Sequence, residues 1–303
     1  VMELRDIEIF LTLAEELHFG RTAERLHITP SRVSQVISKQ ERRIGATLFD
    51  RTSRTVRLTP LGEQLLHDVG SGYRQIMDGI EAARGAVRGT VGTLTLGTMG
   101  PLSLEIGAVL DLFKTRHPGV RLQHREVQPP SPLELLRSGG VDVALLWLPI
   151  REPDLTVGPI VRTSQVMLMV PAGHPYAGYD PICLEDLADC VVAAGTSIPP
   201  YMEETLAPFH TPSGRPIRHA PKVSTWQEAL SVVSSGEAVA GVAAEAAHYY
   251  PWPSLAFVPI RDAAPCRWAL VWRTAGESPL VRALAQAAAD SVGGGAGAGE
   301  ATQ

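Results

Sequence analysis

Cysteine is scarce. Three residues, Cys183, Cys190 and Cys266, are too few for a disulfide framework, which predicts a reducing, cytoplasmic setting. Long apolar runs are missing as well. The longest, Val141–Ile150 and Val166–Pro171, fall well short of the ~20 residues that cross a bilayer. The opening residues MELRDIEIF carry acids where a secretory leader needs basic residues, so no leader is expected. Nine histidines include no H-x-x-x-H pair and no Cys/His cluster, which predicts no metal site. No G-x-S-x-G elbow frames a serine nucleophile. Neither catalysis nor a cofactor is expected. Lysine is rare too, three of 27 basic residues, a bias that genome composition alone can produce.

What the chain does have is apolar material for real cores. Of its 303 residues 45% are hydrophobic and 19% charged, which excludes disorder as the dominant state and fits at least two globular domains. The net charge of −5 argues, as a single number, against a nucleic-acid binder. Its distribution argues the reverse. Residues 21–59 hold nine basic side chains (Arg21, Arg25, Arg32, Lys39, Arg42, Arg43, Arg51, Arg54, Arg57) against three acids (Glu24, Glu41, Asp50). That is +6, whereas residues 89–303, with 14 basic and 20 acidic residues, sum to −6.

Leu4, Ile7, Leu11 and Ala14 repeat with helical spacing, and Gly20 is expected to close that helix. A short helix with Ala23 and Leu26 inward follows. Thr29-Pro30 then reads as an N-cap and first helical residue, opening a third helix that Gly45 ends. Val33, Ile37 and Ile44 form its expected inner face. Two helices joined this tightly fit a helix-turn-helix. Residues 48–59 read as a small hairpin, or wing, with Arg51 and Arg54 near its tip.

One long helix is predicted over 60–88. Leu61, Leu65, Val69, Tyr73, Ile76, Ile80, Ala83 and Val87 form a stripe suited to a partner helix in a dimer, or else to packing on its own domain. Gly70, Gly72 and Gly79 permit close approach.

From residue 89 strands alternate with helices. Strands over 92–98, 120–127 and 141–147 enclose helices over 104–116 and 132–138, an order that argues a parallel sheet. A second such unit takes strands near 166–170, 190–194, 222–224 and 238–243, with helices over 201–209 and 227–235. A returning strand at 267–272 and a helix over 279–289 complete the pattern.

The stretch 21–59 carries the most specific chemistry. The third helix presents Ser31, Arg32, Ser34, Gln35, Ser38 and Lys39, polar side chains that can reach base edges from its N-terminal end. Thr29 and the first-turn amides suit a phosphate. Arg51 and Arg54 suit backbone or minor-groove contact.

RTAERLHITPSRVSQVISKQERRIG followed by ATLFDRTSRTVRLTPLGEQLL resembles the winged helix-turn-helix of LysR-type transcriptional regulators. The resemblance continues through GTLTLG, GVDVALL, LMVPAGHPYA, LEDLAD and VSTWQEALSVVSSGEAVAGV, nearly the whole chain. It implies a DNA-binding domain over 1–59, a dimerising linker helix over 60–88 and an α/β effector domain over 89–290. Subdomain I takes about 89–162 and 266–290, subdomain II about 163–265, and 291–303 is a flexible tail. It also implies a homodimer that commonly pairs into a tetramer, bacterial promoter DNA as partner, and DNA contacts at Pro30, Ser31, Ser34, Gln35 and Arg54. Two departures stand out: Gln40 where the family usually has Leu, and Thr29-Pro30-Ser31 in place of the common Thr-Gln-Pro.

The two α/β subdomains resemble a type-2 periplasmic-binding-protein fold, whose ligands sit between subdomains at the C-terminal ends of strands. By chain position, one wall of that cleft takes Thr98, Met99, Gly100, Val127, Gln128 and Trp147. The other takes Gly195, Thr196, Ser197, Ile198, Thr225 and Trp226. Trp147 and Trp226 are alternatively plain core residues. Gly97–Gly100 lacks the G-x-G-x-x-G spacing of a dinucleotide loop. No Arg or Lys falls at these positions, which favours a neutral or weakly acidic, largely apolar small-molecule effector. The alternatives are a stand-alone solute-binding or sensor protein, and a redox-sensing regulator acting through Cys183 and Cys190.

Overall fold

The computed structural model describes residues 3–51, 55–88, 92–179 and 181–296. The chain divides into two compact units, Val1–Arg88 and Gly89–Gln303.

In the first unit α1 (Leu4–Glu16), α2 (Phe19–Leu26) and α3 (Pro30–Ile44) enclose a core of Ile9, Phe10, Leu13, Val33, Val36 and Ile37. Gly20 does not end α1. Leu17 does, in the left-handed region at φ 46°, and the chain turns at once into α2. The imidazole of His18 caps α2 by accepting the amides of Gly20 and Arg21 at 3.1 and 3.2 Å. Glycine suits this position, since a Cβ at Gly20 would crowd that ring at 3.0 Å. Thr29 caps α3, its hydroxyl accepting the Arg32 amide at 3.2 Å, and Gly45 closes it at φ 84°. Ile44 is exposed, not inward; Val36 takes the core position instead.

Strands β1 (Phe49–Arg51) and β2 (Val56–Leu58) pair antiparallel, Phe49 opposite Leu58. The tip of this wing, including Arg54, lies outside the described residues. Helix α4 (Pro60–Arg88) packs Leu65 and Leu66 on the core and leaves Leu61, Ile76, Met77 and Ile80 exposed. The side chains of Ala83 and Val87 lie outside the description.

The second unit holds two sheets. The first is built from β3 (Thr93–Thr98), β4 (Arg121–Glu126), β5 (Val143–Trp147), β6 (Leu155–Ser164) and, from far along the chain, a strand at Cys266–Arg273. Between these lie α5 (Gly107–Arg116) and α6 (Glu134–Arg137). The second sheet takes β7 (Val166–Pro171), β8 (Val191–Gly195), β9 (Arg218–Val223), β10 (Ala240–Ala243) and β11 (Leu255–Pro259). Its helices are α7 (Pro200–Leu206), α8 (Trp226–Ser234) and α9 (Glu245–Tyr249). The returning strand Cys266–Arg273 is β12, and α10 (Pro279–Ala296) packs beside α5.

The first sheet runs β4-β3-β5-β12-β6. Its first three strands are parallel, but β12 is antiparallel to both β5 and β6, so the sheet is mixed and not purely parallel. In the second sheet β7 lies antiparallel between β10 and β11. The parallel pair β8–β9 joins this group through a bridge between Val192 and Val239. The chain thus crosses from one subdomain to the other near Gln165 and returns through 261–265. Helix α10 continues past residue 291, the expected start of a tail, to Ala296.

Candidate functional site

Two regions carry chemistry, one in each unit. On α3 the apolar residues Val33, Val36 and Ile37 face the core, so Ser31, Arg32, Gln35 and Lys39 face outward on the opposite side. Thr29 and Pro30 are exposed, and Ser34 and Ser38 are half-buried. Arg32, Arg42 and Arg43 make no ion pair among the described residues, whereas other basic groups of this stretch are engaged. Arg25 pairs with Glu15 and Glu16 at 2.8 and 3.0 Å, and Arg21 with Glu16 at 3.2 Å. Lys39 lies 3.9 Å from Asp6. Arg51 pairs with Glu41 at 2.6 Å and stacks over Phe19, which holds it to its own unit. The partners Asp6, Glu15 and Glu16 lie outside the 21–59 window, so the free positive charge is smaller than +6 and, among the described residues, is carried by α3 together with the exposed Arg57 of β2.

In the second unit a cavity of about 140 Å³ opens between the two sheets. Of the twelve residues expected at the cleft, Met99, Gly100, Trp147, Gly195, Ile198 and Trp226 line it. The other six do not. Thr98 is buried, its hydroxyl on the Gly100 carbonyl at 3.4 Å. Val127 packs under Gly97. Thr225 caps α8 by accepting the Glu228 amide at 3.1 Å. The Gln128 side chain accepts the Trp226 amide at 3.0 Å, and the backbone amides of Thr196 and Ser197 donate to the carbonyls of Val223 and Pro130.

Two of these bonds, Trp226 to Gln128 and Ser197 to Pro130, join the subdomains directly. Trp147 adds another, its indole donating to the Met202 carbonyl at 2.9 Å. Trp147 also meets Trp268 edge-on at 6.1 Å, and Trp226 meets Tyr250 at 5.2 Å. Gly100 has no room for a side chain, since a Cβ there would fall 2.3 Å from the Tyr250 hydroxyl.

The lining also contains Glu126, Glu203, Glu245, Trp268, Tyr249 and Tyr250, which positional reasoning along the strands missed. Trp268 sits opposite Trp147 in register, a pairing visible only once β12 is known to run antiparallel to β5. Glu126 is the last residue of β4, one step before the expected positions. Glu245, Tyr249 and Tyr250 come from α9 and its end, a helix too short to announce itself.

Glu245 is buried, which pushes its carboxyl upward, but hydrogen bonds from Ser164 at 2.6 Å and Arg162 at 2.5 Å prevail and hold it below the usual range. Arg162 is shared with Glu105 at 2.8 Å, whose other oxygen accepts the Tyr249 hydroxyl at 2.6 Å. Glu203 accepts the Gly195 amide at 3.2 Å and lies 4.0 Å from His219.

Burial pushes the thiols of Cys190 and Cys266 up to about 11 and about 12, away from the thiolate that redox sensing needs. Cys183 holds its sulfur 3.1 Å from Asp186. No group of His, Cys, Asp and Glu among the described residues is placed to hold a metal, and no helix there is long and apolar enough to cross a membrane.

Residues 4–63 match the family described as bacterial regulatory helix-turn-helix protein, lysR family, and residues 87–293 match the LysR substrate binding domain. The chain belongs to the LysR family of transcriptional regulators. This LysR-family regulator is similar to the HTH-type transcriptional regulator AlsR of Bacillus subtilis, with 28% identity over 93% of either chain. Its fold is that of CbnR, a LysR family transcriptional regulator of known crystal structure. That match has a TM-score of 0.70 and 21% identity, covering 96% of this chain and 99% of the other. Full-length CbnR complexed with its target DNA also matches, at TM-score 0.66, again with 21% identity, over 96% of this chain and all of that one (100%). The relatives are named as regulators, not as enzymes or solute carriers.

Proposed function

We propose that this regulator reads promoter DNA with the exposed face of α3. The observation that carries this is the division of that helix: Val33, Val36 and Ile37 are committed to the core, while Arg32 and Gln35 stay exposed, and Arg32 makes no ion pair among the described residues. Arg32 pairs naturally with guanine and Gln35 with adenine, and the capped first turn at Thr29-Pro30-Ser31 offers amides to a phosphate. Ser34, Ser38 and Lys39 flank these contacts. In the wing, Arg54 is the candidate phosphate or minor-groove contact. Arg51 is a weaker one, because Glu41 already holds it.

The exposed stripe on α4 is proposed to pair two copies, placing two reading helices on half-sites about one helical turn apart or a multiple of it. The domain limits at 59, 88 and 290, the assembly into tetramers and a cytoplasmic location belong to the same reading. The cavity between the sheets is proposed to take the small-molecule effector. A ligand there acts only through its unequal affinity for two arrangements of the subdomains.

A mobility shift with the intergenic DNA beside the gene tests the first part. Arg32→Ala and Gln35→Ala are each expected to weaken specific binding by about 1–3 kcal/mol with an unchanged melting temperature. Wild-type affinity in both variants overturns the assignment. Ala193→Phe, which fills the cavity, is expected to abolish any effector-dependent change in operator affinity.

A further inference from the structure

We propose that the cavity selects an organic cation: a protonated amine or quaternary ammonium on an apolar body of about one ring. This rests on the reading of the cavity as the effector site.

Three observations carry it. The first is charge. Glu126, Glu203 and Glu245 line the cavity, and no Arg, Lys or His of the described residues does. Arg162, which pairs with Glu245, is shared with Glu105, so that group keeps a net negative charge. A carboxylate ligand would enter this wall without a countercharge, at a high desolvation cost. The second is an unmet bond. Glu245 is only 7% exposed; Ser164 and Arg162 occupy one of its oxygens, and the other, Oε2, has no partner. The carboxylate is thus only partly answered, and its charge stands in the wall of the cavity, where it favours a cation. The third is the aromatic wall. Trp147, Trp226 and Trp268 present rings suited to a cation, as in ammonium-binding aromatic cages. The lack of basic residues by itself favours a neutral or weakly acidic ligand; the carboxylates move the choice to a cation. At about 140 Å³ the space is close to the engineered cavity of ~150 Å³ that holds benzene.

The test is calorimetric titration of the full chain at pH 7, with tryptophan emission as second readout, using three matched probes: 2-phenylethylammonium, 2-phenylethanol and 3-phenylpropanoate. The ammonium is expected to bind at least tenfold more tightly than the other two. Glu245→Gln should remove most of that preference. Because Glu245 also anchors Arg162, Glu203→Gln serves as a second variant, expected to weaken the ammonium several-fold and not the alcohol. Equal or tighter binding of the propanoate overturns the choice of cation and leaves the cavity as the effector site. Binding of none of the three overturns the inference. The wider reading fails by a different result: a bound probe whose affinity is unaltered in Ala193→Phe.

Discussion

Gln40 lies on the buried face of α3 with Val33, Val36 and Ile37. It is buried, its Nε2 donates to the Asp6 carbonyl at 2.6 Å, and its Oε1 has no partner. The Asp6 carbonyl lies within α1, where the helix ladder supplies its first partner, so Gln40 adds a second bond at the expense of an unmet acceptor. Gln40→Leu is therefore expected to be neutral or to stabilise by about 1 kcal/mol in a urea melt of the whole chain. A loss above that size counts against this account of the site. His18 is the opposite case. It caps two amides of α2, and His18→Ala should cost about 1 kcal/mol in the same melt. The thiols offer a third check. With Cys190 and Cys266 buried and raised to about 11 and about 12, only Cys183 should react with a thiol reagent at pH 8 in the folded protein.

At the scale of elements, what could be read from sequence followed from periodicity and turn chemistry. The third helix, its Thr29-Pro30 start and its Gly45 end were legible because each end has a residue-specific cause. Gly20 misled because a glycine near a helix end has two uses. Here it makes room for the His18 ring, and Leu17 takes the left-handed turn. Strand β6 escaped notice because Gly158 and Pro159 interrupt it and its burial does not alternate. Both residues have physical reasons to be there. An edge strand tolerates proline, and a Cβ at Gly158 would fall 2.4 Å from the Trp272 ring. The expected cleft residues came from strand ends alone, so Met99, Trp147 and Trp226 were found. The contributions of α9 and β12 were not, because they depend on antiparallel pairing and on a five-residue helix. Gly241 offers a sharp test at this scale. A Cβ there would lie 1.6 Å from the Leu206 carbonyl oxygen, so Gly241→Ala should destabilise the second sheet by several kcal/mol, about the size of a severe core lesion.

For the whole molecule, positive charge is concentrated in residues 21–59 and negative charge in 89–303, and the ion pairs refine where it acts. Promoter affinity should fall steeply as salt is raised, because phosphate contacts release counterions. A flat salt response of the mobility shift would remove the electrostatic part of the proposal. Acid should unfold the second unit through its carboxylates. The Tyr201 hydroxyl and Arg137 hold Glu152 below the usual range, and Arg137 does the same for Asp154 at 3.0 Å. Groups lowered in the folded state contribute stability above the unfolded carboxylate range of ~4, and that stability disappears as pH falls through their lowered values. Melting temperatures from pH 7 to pH 3 should show this decline, and Arg137→Ala should flatten it.

The link between Arg162 on β6 and Glu245 on α9 joins residues far apart in the chain and on different subdomains. Neither can be exchanged by itself without leaving a charge facing Ser164 or Glu105 unanswered. Among diverging descendants of this sequence the two positions should change together or not at all, with Ser164 following Glu245. Ligand preference would then shift in jumps, when the whole group is replaced, instead of drifting one substitution at a time.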